Sequence, residues 1–268
     1  MIWTTRPRCD GPDGLAIWQE GSGPSLVLIH GVGLRAEAWG GMMSALAKHF
    51  TVHAVDMPGH GGSALGGAVT LADYSRAIEA LIDRLAGPVV VAGHSMGAMI
   101  ALDLAAGMPG RIAGVAALNA IYRRDAAAAA AVRARAAALD GKTAADPTST
   151  LERWFGANPS GADAEAAAAC DGWLRAADPG GYRAAYSVFA DADGPDDAAL
   201  AALSIPALFM TGARDRNSTP AMTRAMAGLV PRGRAVIVAD AGHMMPMTHG
   251  AALARELIDS FADPKGAR

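Results

Sequence analysis

The chain alternates short, uninterrupted apolar runs with longer stretches of helical character. Runs rich in Val, Ile and Leu occur in SLVLIH from Ser25, TVHAVD from Thr51, PVVVAGH from Pro88, IAGVAALN from Ile112, IPALFMTG from Ile205 and RAVIVAD from Arg234. A strand with one solvated face alternates apolar and polar residues. These runs do not, so each reads as a strand covered on both faces. Between them, residues 37–48, 71–85, 97–107, 221–229 and 251–261 have the length and composition of helices. Strand alternating with helix predicts an α/β fold: a mostly parallel central sheet with helices on both faces. Residues 15–19 read as one arm of an antiparallel hairpin at the sheet edge.

The alternation breaks between 121 and 203. An alanine-rich run containing Arg133 and Arg135 is followed there by Pro, Gly and Asp clusters and by the aromatic pair Trp154 and Phe155. The reading is a helical insertion, with the alanine run a surface helix built of a strong helix former. Long connections that carry helices often cover active sites, so the insertion is expected to act as a lid. The chain thus divides into a first part of the core at 1–120, a lid at 121–203 and a second part of the core at 204–268.

Composition narrows this picture only slightly. At 268 residues and 51% hydrophobic, the chain is long enough for one large domain with a sizeable core. A net charge of -3 offers no basic face for phosphate backbones, so nucleic acid is not expected as a partner. Cys9 and Cys170 match neither a disulfide framework nor a metal-ligand spacing, and read as free thiols in a reducing compartment. The first residues, MIWTTRPRCDGPDG, lack an apolar stretch behind a basic start, and no run has the ~20 apolar residues of a membrane span. A soluble cytoplasmic protein is expected, with no membrane partner and an open oligomeric state.

Candidate chemistry begins at Gly93-His94-Ser95-Met96-Gly97, a G-x-S-x-G pattern set between a buried strand and a helix with small residues in its first turns. A strand reversing sharply into a helix strains the serine, and only small neighbours clear the turn. A structural turn serine has the same composition; the strand and helix on either side favour a nucleophile. After the first buried strand, His30-Gly31-Val32-Gly33 offers a flexible backbone whose Val32 N–H can face that of Met96 across an oxyanion. A glycine-rich turn with no catalytic role is the alternative there. An unassisted serine needs a base. Of the seven histidines, His243 follows the last buried strand, at the edge of the sheet where open α/β folds bind ligands. His30 and His94 sit in turns they are expected to shape, His60 belongs to a Pro-Gly-His-Gly-Gly turn, His53 falls in a strand, His49 on a helix and His249 at or inside the last helix. Asp215, in the loop after IPALFMTG, is the orienting acid that the chain order Ser, Asp, His requires. Asn119 at the end of the preceding strand is neutral and cannot balance an imidazolium; Asp240 ranks second.

Together, His30-Gly31, the turn from Asp56 to Ser63, the elbow at Ser95, Gly212 to Asp215 and Gly242-His243 resemble the α/β-hydrolase superfamily over nearly the whole chain outside the insertion. Within it the chain looks most like small esterases, enol-lactone hydrolases and cofactor-free haloperoxidase-like proteins. The resemblance implies a triad of Ser95, Asp215 and His243, with Val32 and Met96 forming the oxyanion hole, no metal and no cofactor. It implies hydrolysis of a small carboxylic ester or lactone through an acyl-serine. Carbon–carbon bond hydrolysis of a diketone-like substrate, or a slowly turning over small-molecule receptor, are the alternatives. Trp154 and Arg124 are candidates for recognising an aromatic or carboxylate group of a small-molecule substrate. One departure lies after Asp215, where Arg216-Asn217-Ser218-Thr219-Pro220 delays the proline and leaves the loop geometry open.

Overall fold

The computed structural model describes residues 3–262. Among them the strands β1 (Cys9–Asp10), β2 (Ala16–Glu20), β3 (Ser25–Ile29), β4 (Thr51–Val55), β5 (Val89–His94), β6 (Ile112–Leu118), β7 (Ala207–Gly212) and β8 (Gly233–Val238) form one sheet in the order β1-β2-β4-β3-β5-β6-β7-β8. From β4 to β8 neighbouring strands run parallel, whereas β2 is antiparallel to both β1 and β4. The expected edge hairpin is therefore β1 and β2.

The uninterrupted apolar runs follow from burial on both faces, because side chains leave a strand alternately to either side. In β3, Val27 and Ile29 join one core with Tyr74, Ile78, Ile100 and Met226. Leu26 and Leu28 join another with Trp39, Met42, Leu46, Leu253 and Leu257. The first core lies under the helices α2 (Leu71–Ile82), α3 (Met96–Gly107) and α9 (Pro220–Leu229), the second under α1 (Gly40–Leu46) and α11 (Gly250–Phe261). The run from Arg234 behaves differently. As the last strand of the sheet, β8 is only partly buried.

Between β6 and β7 the chain forms α4 (Ala126–Ala137), α5 (Thr148–Phe155), α6 (Ala162–Arg175), α7 (Pro179–Asp191) and α8 (Asp197–Ala202). Val132 is the only residue of α4 that is buried, so its alanines face outward. Helix α4 packs on α7, α5 on α6, and α6 on the short α10 (Met245–Thr248). The last contact is cemented by a third cluster in which Ala166 and Cys170 meet Leu34, Met244 and Met247. The predicted helix at 37–48 is shorter than expected: it opens as a 3-10 turn at Ala36–Trp39, and His49 falls in the turn that follows α1. No described helix is long and apolar enough to cross a membrane.

A buried ionic cluster joins the N-terminal segment to the loops after β3 and β4. Arg8 Nε lies 2.9 Å from Asp56 Oδ2, and its Nη2 lies 2.6 Å from Glu37 Oε2. Asp56 also accepts the Ala36 amide at 2.7 Å and the Gly62 amide at 2.9 Å, so the cluster ties the end of the loop after β3 to the turn after β4. Both carboxylates have side chains with no exposed surface; removing Arg8 takes from Asp56 its cation and leaves Glu37 only the longer contact with Arg35 at 3.7 Å. Arg8→Ala is expected to destabilise the fold by about 3 kcal/mol. Urea denaturation measures this, and a loss under about 1 kcal/mol, the range of surface pairs, would show that the cluster holds nothing in place.

Candidate active site

The strand order reverses between β3 and β5, the point at which loops from opposite directions open a crevice at the carboxyl ends of a parallel sheet. The loop after β3 and the turn after β5 meet there. Ser95, between β5 and α3, has φ 55° and ψ -118°, a region that non-glycine residues rarely occupy. The flanking glycines allow it. A Cβ on Gly93 would sit 1.9 Å from the Gly97 carbonyl oxygen, and one on Gly97 would sit 2.1 Å from that of Ile29. The strained turn is tied to β6 by the Ser95 amide, which donates to the Leu118 carbonyl at 2.9 Å.

Three residues far apart in sequence form one hydrogen-bonded chain. His243 Nε2 lies 3.2 Å from Ser95 Oγ, and His243 Nδ1 lies 2.8 Å from Asp215 Oδ2. All three are buried, Ser95 with 8% of its surface exposed at the cavity. Burial pushes the Asp215 carboxyl up, but the neighbouring His243, the Asn119 side chain and the Ser218 amide outweigh it and hold the group at about 2. The Asn217 and Ser218 amides both donate to Asp215 Oδ1, at 2.8 and 3.1 Å. The residues that displace proline from its usual place therefore build the cradle of the carboxylate.

The remaining histidines of the site are scaffolding. His94 Nε2 donates to the His243 carbonyl at 2.8 Å, which pins the loop carrying His243 to the elbow. Burial, with the adjacent His243 acting the same way, lowers His94 to about 3, so its ring stays neutral. On the opposite side, the Met57 amide donates to His30 Nε2 and the Gly33 amide to His60 Nε2, each at 3.0 Å. Burial, reinforced by the adjacent His60, lowers His30 to about 3. These neutral rings accept from backbone amides and so fix the loop on which Val32 sits. Val32 lines the same cavity as Ser95, and Met96 opens α3, where amides have no intrahelical acceptor.

That cavity encloses about 50 Å³ and is walled by Val32, Ser95 and His243 from the core and by Arg135, Arg153, Trp154, Tyr182 and Tyr186 from the helices between β6 and β7. Trp154 is stacked on His243, with ring centroids 6.3 Å apart and planes inclined by 27°. Beyond Arg153, Trp154 and Asn217, which line both spaces, lies a cleft of about 870 Å³. Among the described residues no group of three or more His, Cys, Asp and Glu side chains could hold a metal.

Arg124 is not in the cavity, contrary to the sequence expectation. Its guanidinium donates to the carbonyls of Ala192 and Phe189, at 2.5 and 3.0 Å, and lies over the Phe189 ring at 4.4 Å. It clamps the start of the insertion to the end of α7. Asp240 is exposed and belongs to the turn after β8; its carbonyl, not its carboxylate, is engaged, by Arg214. Asn119, set aside as a neutral amide, holds the acid: its Nδ2 donates to Asp215 Oδ2 at 2.8 Å and to the Gly242 carbonyl at 3.3 Å. Its left-handed backbone, φ 51° at the end of β6, suits an asparagine, which was the available signal. Arg135 and Arg153 were hidden by their surroundings, one in an alanine run and the other beside exposed polar residues.

Comparison with known proteins agrees with this architecture. The profile described as the alpha/beta hydrolase family matches residues 26–256. An (E)-2-((N-methylformamido)methylene)succinate hydrolase of Acinetobacter baylyi is 39% identical over 233 residues, 86% of this chain and 88% of that protein. Among solved structures, a thermophilic esterase from Thermogutta terrifontis with malate bound superposes with a TM-score of 0.80 at 25% identity, over 91% of each chain. The enol-lactonase from Burkholderia xenovorans does so with a TM-score of 0.78 at 26% identity, over 93% of this chain and 96% of its own.

The low Asp215 value has a consequence for acid stability. A carboxyl held at about 2 when folded, against 3.8 when unfolded, stabilises the fold fully above the unfolded value and loses that contribution as the pH falls through the folded one. Thermal unfolding followed from neutral pH down to about 2 is expected to fall less steeply below pH 4 in Asp215→Asn than in the wild type. Parallel curves would mean that the site does not hold the carboxylate ionised.

Proposed function

We propose, on the premise that the chain belongs to the alpha/beta hydrolase family and is an enzyme of that type, that it is a serine hydrolase acting on a small acyl compound, a carboxylic ester or lactone, through an acyl-Ser95 intermediate. The observation that carries this reading is the unbroken contact from Ser95 Oγ through His243 to Asp215, with the serine on a strained elbow. His243 Nε2 takes the Ser95 proton as Oγ attacks the acyl carbon. Asp215 fixes the imidazole with Nδ1–H toward itself and balances the imidazolium that forms. The Val32 and Met96 amides receive the negative oxygen of the tetrahedral intermediate, the first charge the reaction creates in a site with little water. His243 then protonates the leaving group and afterwards activates the water that releases the acid.

The helices of residues 121–203 act in this reading as a lid. A space of about 50 Å³ has room for one or two waters, against the few hundred Å³ of a ligand pocket. Admitting a substrate requires the segment bearing Trp154 to move, and the cleft beyond Trp154 supplies the way in. The free thiols Cys9 and Cys170, the second with its pKa pushed up by burial, support a reducing, cytoplasmic setting.

A second reading has one observation in its favour. The named substrate of the Acinetobacter baylyi relative carries an amide and two carboxylates and no ester. Amide or carbon–carbon bond cleavage by the same three residues is therefore tested beside ester hydrolysis.

Intact-protein mass spectrometry after fluorophosphonate treatment, run beside a panel of short esters, lactones, amides and diketones, tests the proposal. One adduct is expected in the wild type and none in Ser95→Ala. Turnover in Ser95→Ala and in His243→Ala is expected to fall by more than about 10⁴-fold, each loss being nearly that of the whole triad. An adduct elsewhere, or near wild-type turnover in Ser95→Ala, would end this reading. Asn119→Leu, which removes one charge-assisted hydrogen bond from Asp215, is expected to lower kcat about tenfold with little change in KM. Unchanged kcat would make Asn119 a purely structural cap of β6.

A further inference from the structure

The cavity beside Ser95 contains positive charge that no carboxylate among the described residues pairs with. Arg135, in the last turn of α4, and Arg153, in the last turn of α5, both line it. Eight other arginines lie within 4.0 Å of a carboxylate, Arg8 and Arg35 near the oxyanion loop among them. Neither Arg135 nor Arg153 does so among the described residues. Their partners are neutral hydroxyls: Arg135 Nε donates to Tyr186 Oη at 3.0 Å, and Arg153 Nη2 to Thr150 Oγ1 at 2.7 Å. These contacts orient the two guanidinium groups and leave further N–H groups of each free of any carboxylate.

Two like charges sharing one poorly solvated space repel each other, and each forgoes part of its hydration. Burial lowers the Arg153 pKa, and the Arg135 charge acts in the same direction. A core that needed only to be filled would hold apolar side chains here, as the neighbouring Phe189 does. The position at the ends of two helices offers a second, structural reading, since cations there complement the helix dipole. That reading does not explain why both side chains turn toward the cavity that Ser95 opens into.

We propose that Arg135 and Arg153 recognise a free carboxylate on the substrate, so that the hydrolase acts on acyl compounds that are anions rather than on neutral esters. The proposal rests on the serine-hydrolase reading and adds its substrate class. A guanidinium presents a planar fork of N–H donors matched to carboxylate geometry, which a lysine would not. With the carboxylate held by the insertion and the acyl carbon held at the elbow, the substrate is fixed at two points across the cavity. Tyr186 keeps the Arg135 fork in place.

The rate at which a fluorophosphonate labels Ser95 tests this, with succinate as the anionic probe and succinamide as its neutral counterpart. Succinate is expected to slow labelling of the wild-type enzyme, at millimolar concentration and less at high salt, while succinamide leaves the rate unchanged. In Arg135→Gln and Arg153→Gln the concentration of succinate needed for the same protection is expected to rise about tenfold. In turnover, monomethyl succinate is expected to exceed methyl butyrate in kcat/KM, with the advantage lost in either variant through KM. Equal effects of succinate and succinamide on the wild type, a comparison that requires no variant to fold, overturn the proposal. So does protection that survives both substitutions. A wild-type enzyme that takes no adduct at all would instead remove the serine-hydrolase reading, and this inference with it.

Discussion

The close approach of α3 to the end of β3 is the constraint on which the site depends. The Gly97 backbone lies so near the Ile29 carbonyl that no side chain fits between them, and Gly93 faces Gly97 in the same way. This contact forces Ser95 into a backbone conformation worth on the order of 1–3 kcal/mol of strain, which the surrounding sheet must sustain. It also brings the first turn of α3, with its unpaired amides, beside the loop carrying Val32. The proposed nucleophile and oxyanion donors thus arise from one packing decision. Their placement is inherited from parallel strands buried on both faces.

Around that point, the loops are fixed by neutral histidines as well as by the ionic cluster of Arg8, Asp56 and Glu37. His30 and His60 each accept a backbone amide, and His94 donates to the carbonyl of the loop bearing His243. Burial disfavours their charged forms, so the rings keep these roles through the physiological pH range. The acid is treated in the opposite way. Asp215 is deeply buried yet kept ionised, because two backbone amides, the Asn119 amide group and His243 all favour its negative form. One environment suppresses charge on three histidines and preserves it on one carboxylate, and the difference lies in which hydrogen-bonding partners face each group.

The core and its site were legible in the sequence for a physical reason: both are built from local signals. Buried parallel strands show as unbroken apolar runs, the elbow shows as glycines at fixed offsets from a serine, and chain order places an acid and a base after the corresponding strands. Asn119 was rightly set aside as the acid, but its contact with Asp215 was not foreseen, because a test for charge alone cannot detect a residue that holds another. Arg124 was misassigned because a cation near an insertion has many places to go, and here three contacts with α7 and its flank claim it. Arg135 lay within a run of alanines whose own outward-facing character is real. Helical periodicity in such a run is nearly featureless, so a half-buried arginine that reaches the cavity leaves no trace in the pattern.

These differences in legibility reflect a division of work. In the proposed reading the core supplies what any acyl transfer needs: a nucleophile, a base, an acid and amides for a negative oxygen. None of these groups distinguishes one acyl chain from another. Discrimination falls to the part of the chain that the sheet does not constrain, where Arg135, Arg153, Trp154 and Tyr186 come from three different helices. In the proposed reading these groups lie on a surface that parts to admit a substrate and closes around it. For such a surface, electrostatic recognition is a better basis for selection than shape. A guanidinium tolerates a displacement of a few tenths of an ångström that would defeat a tightly fitted apolar pocket, and it retains its preference for an anion while doing so.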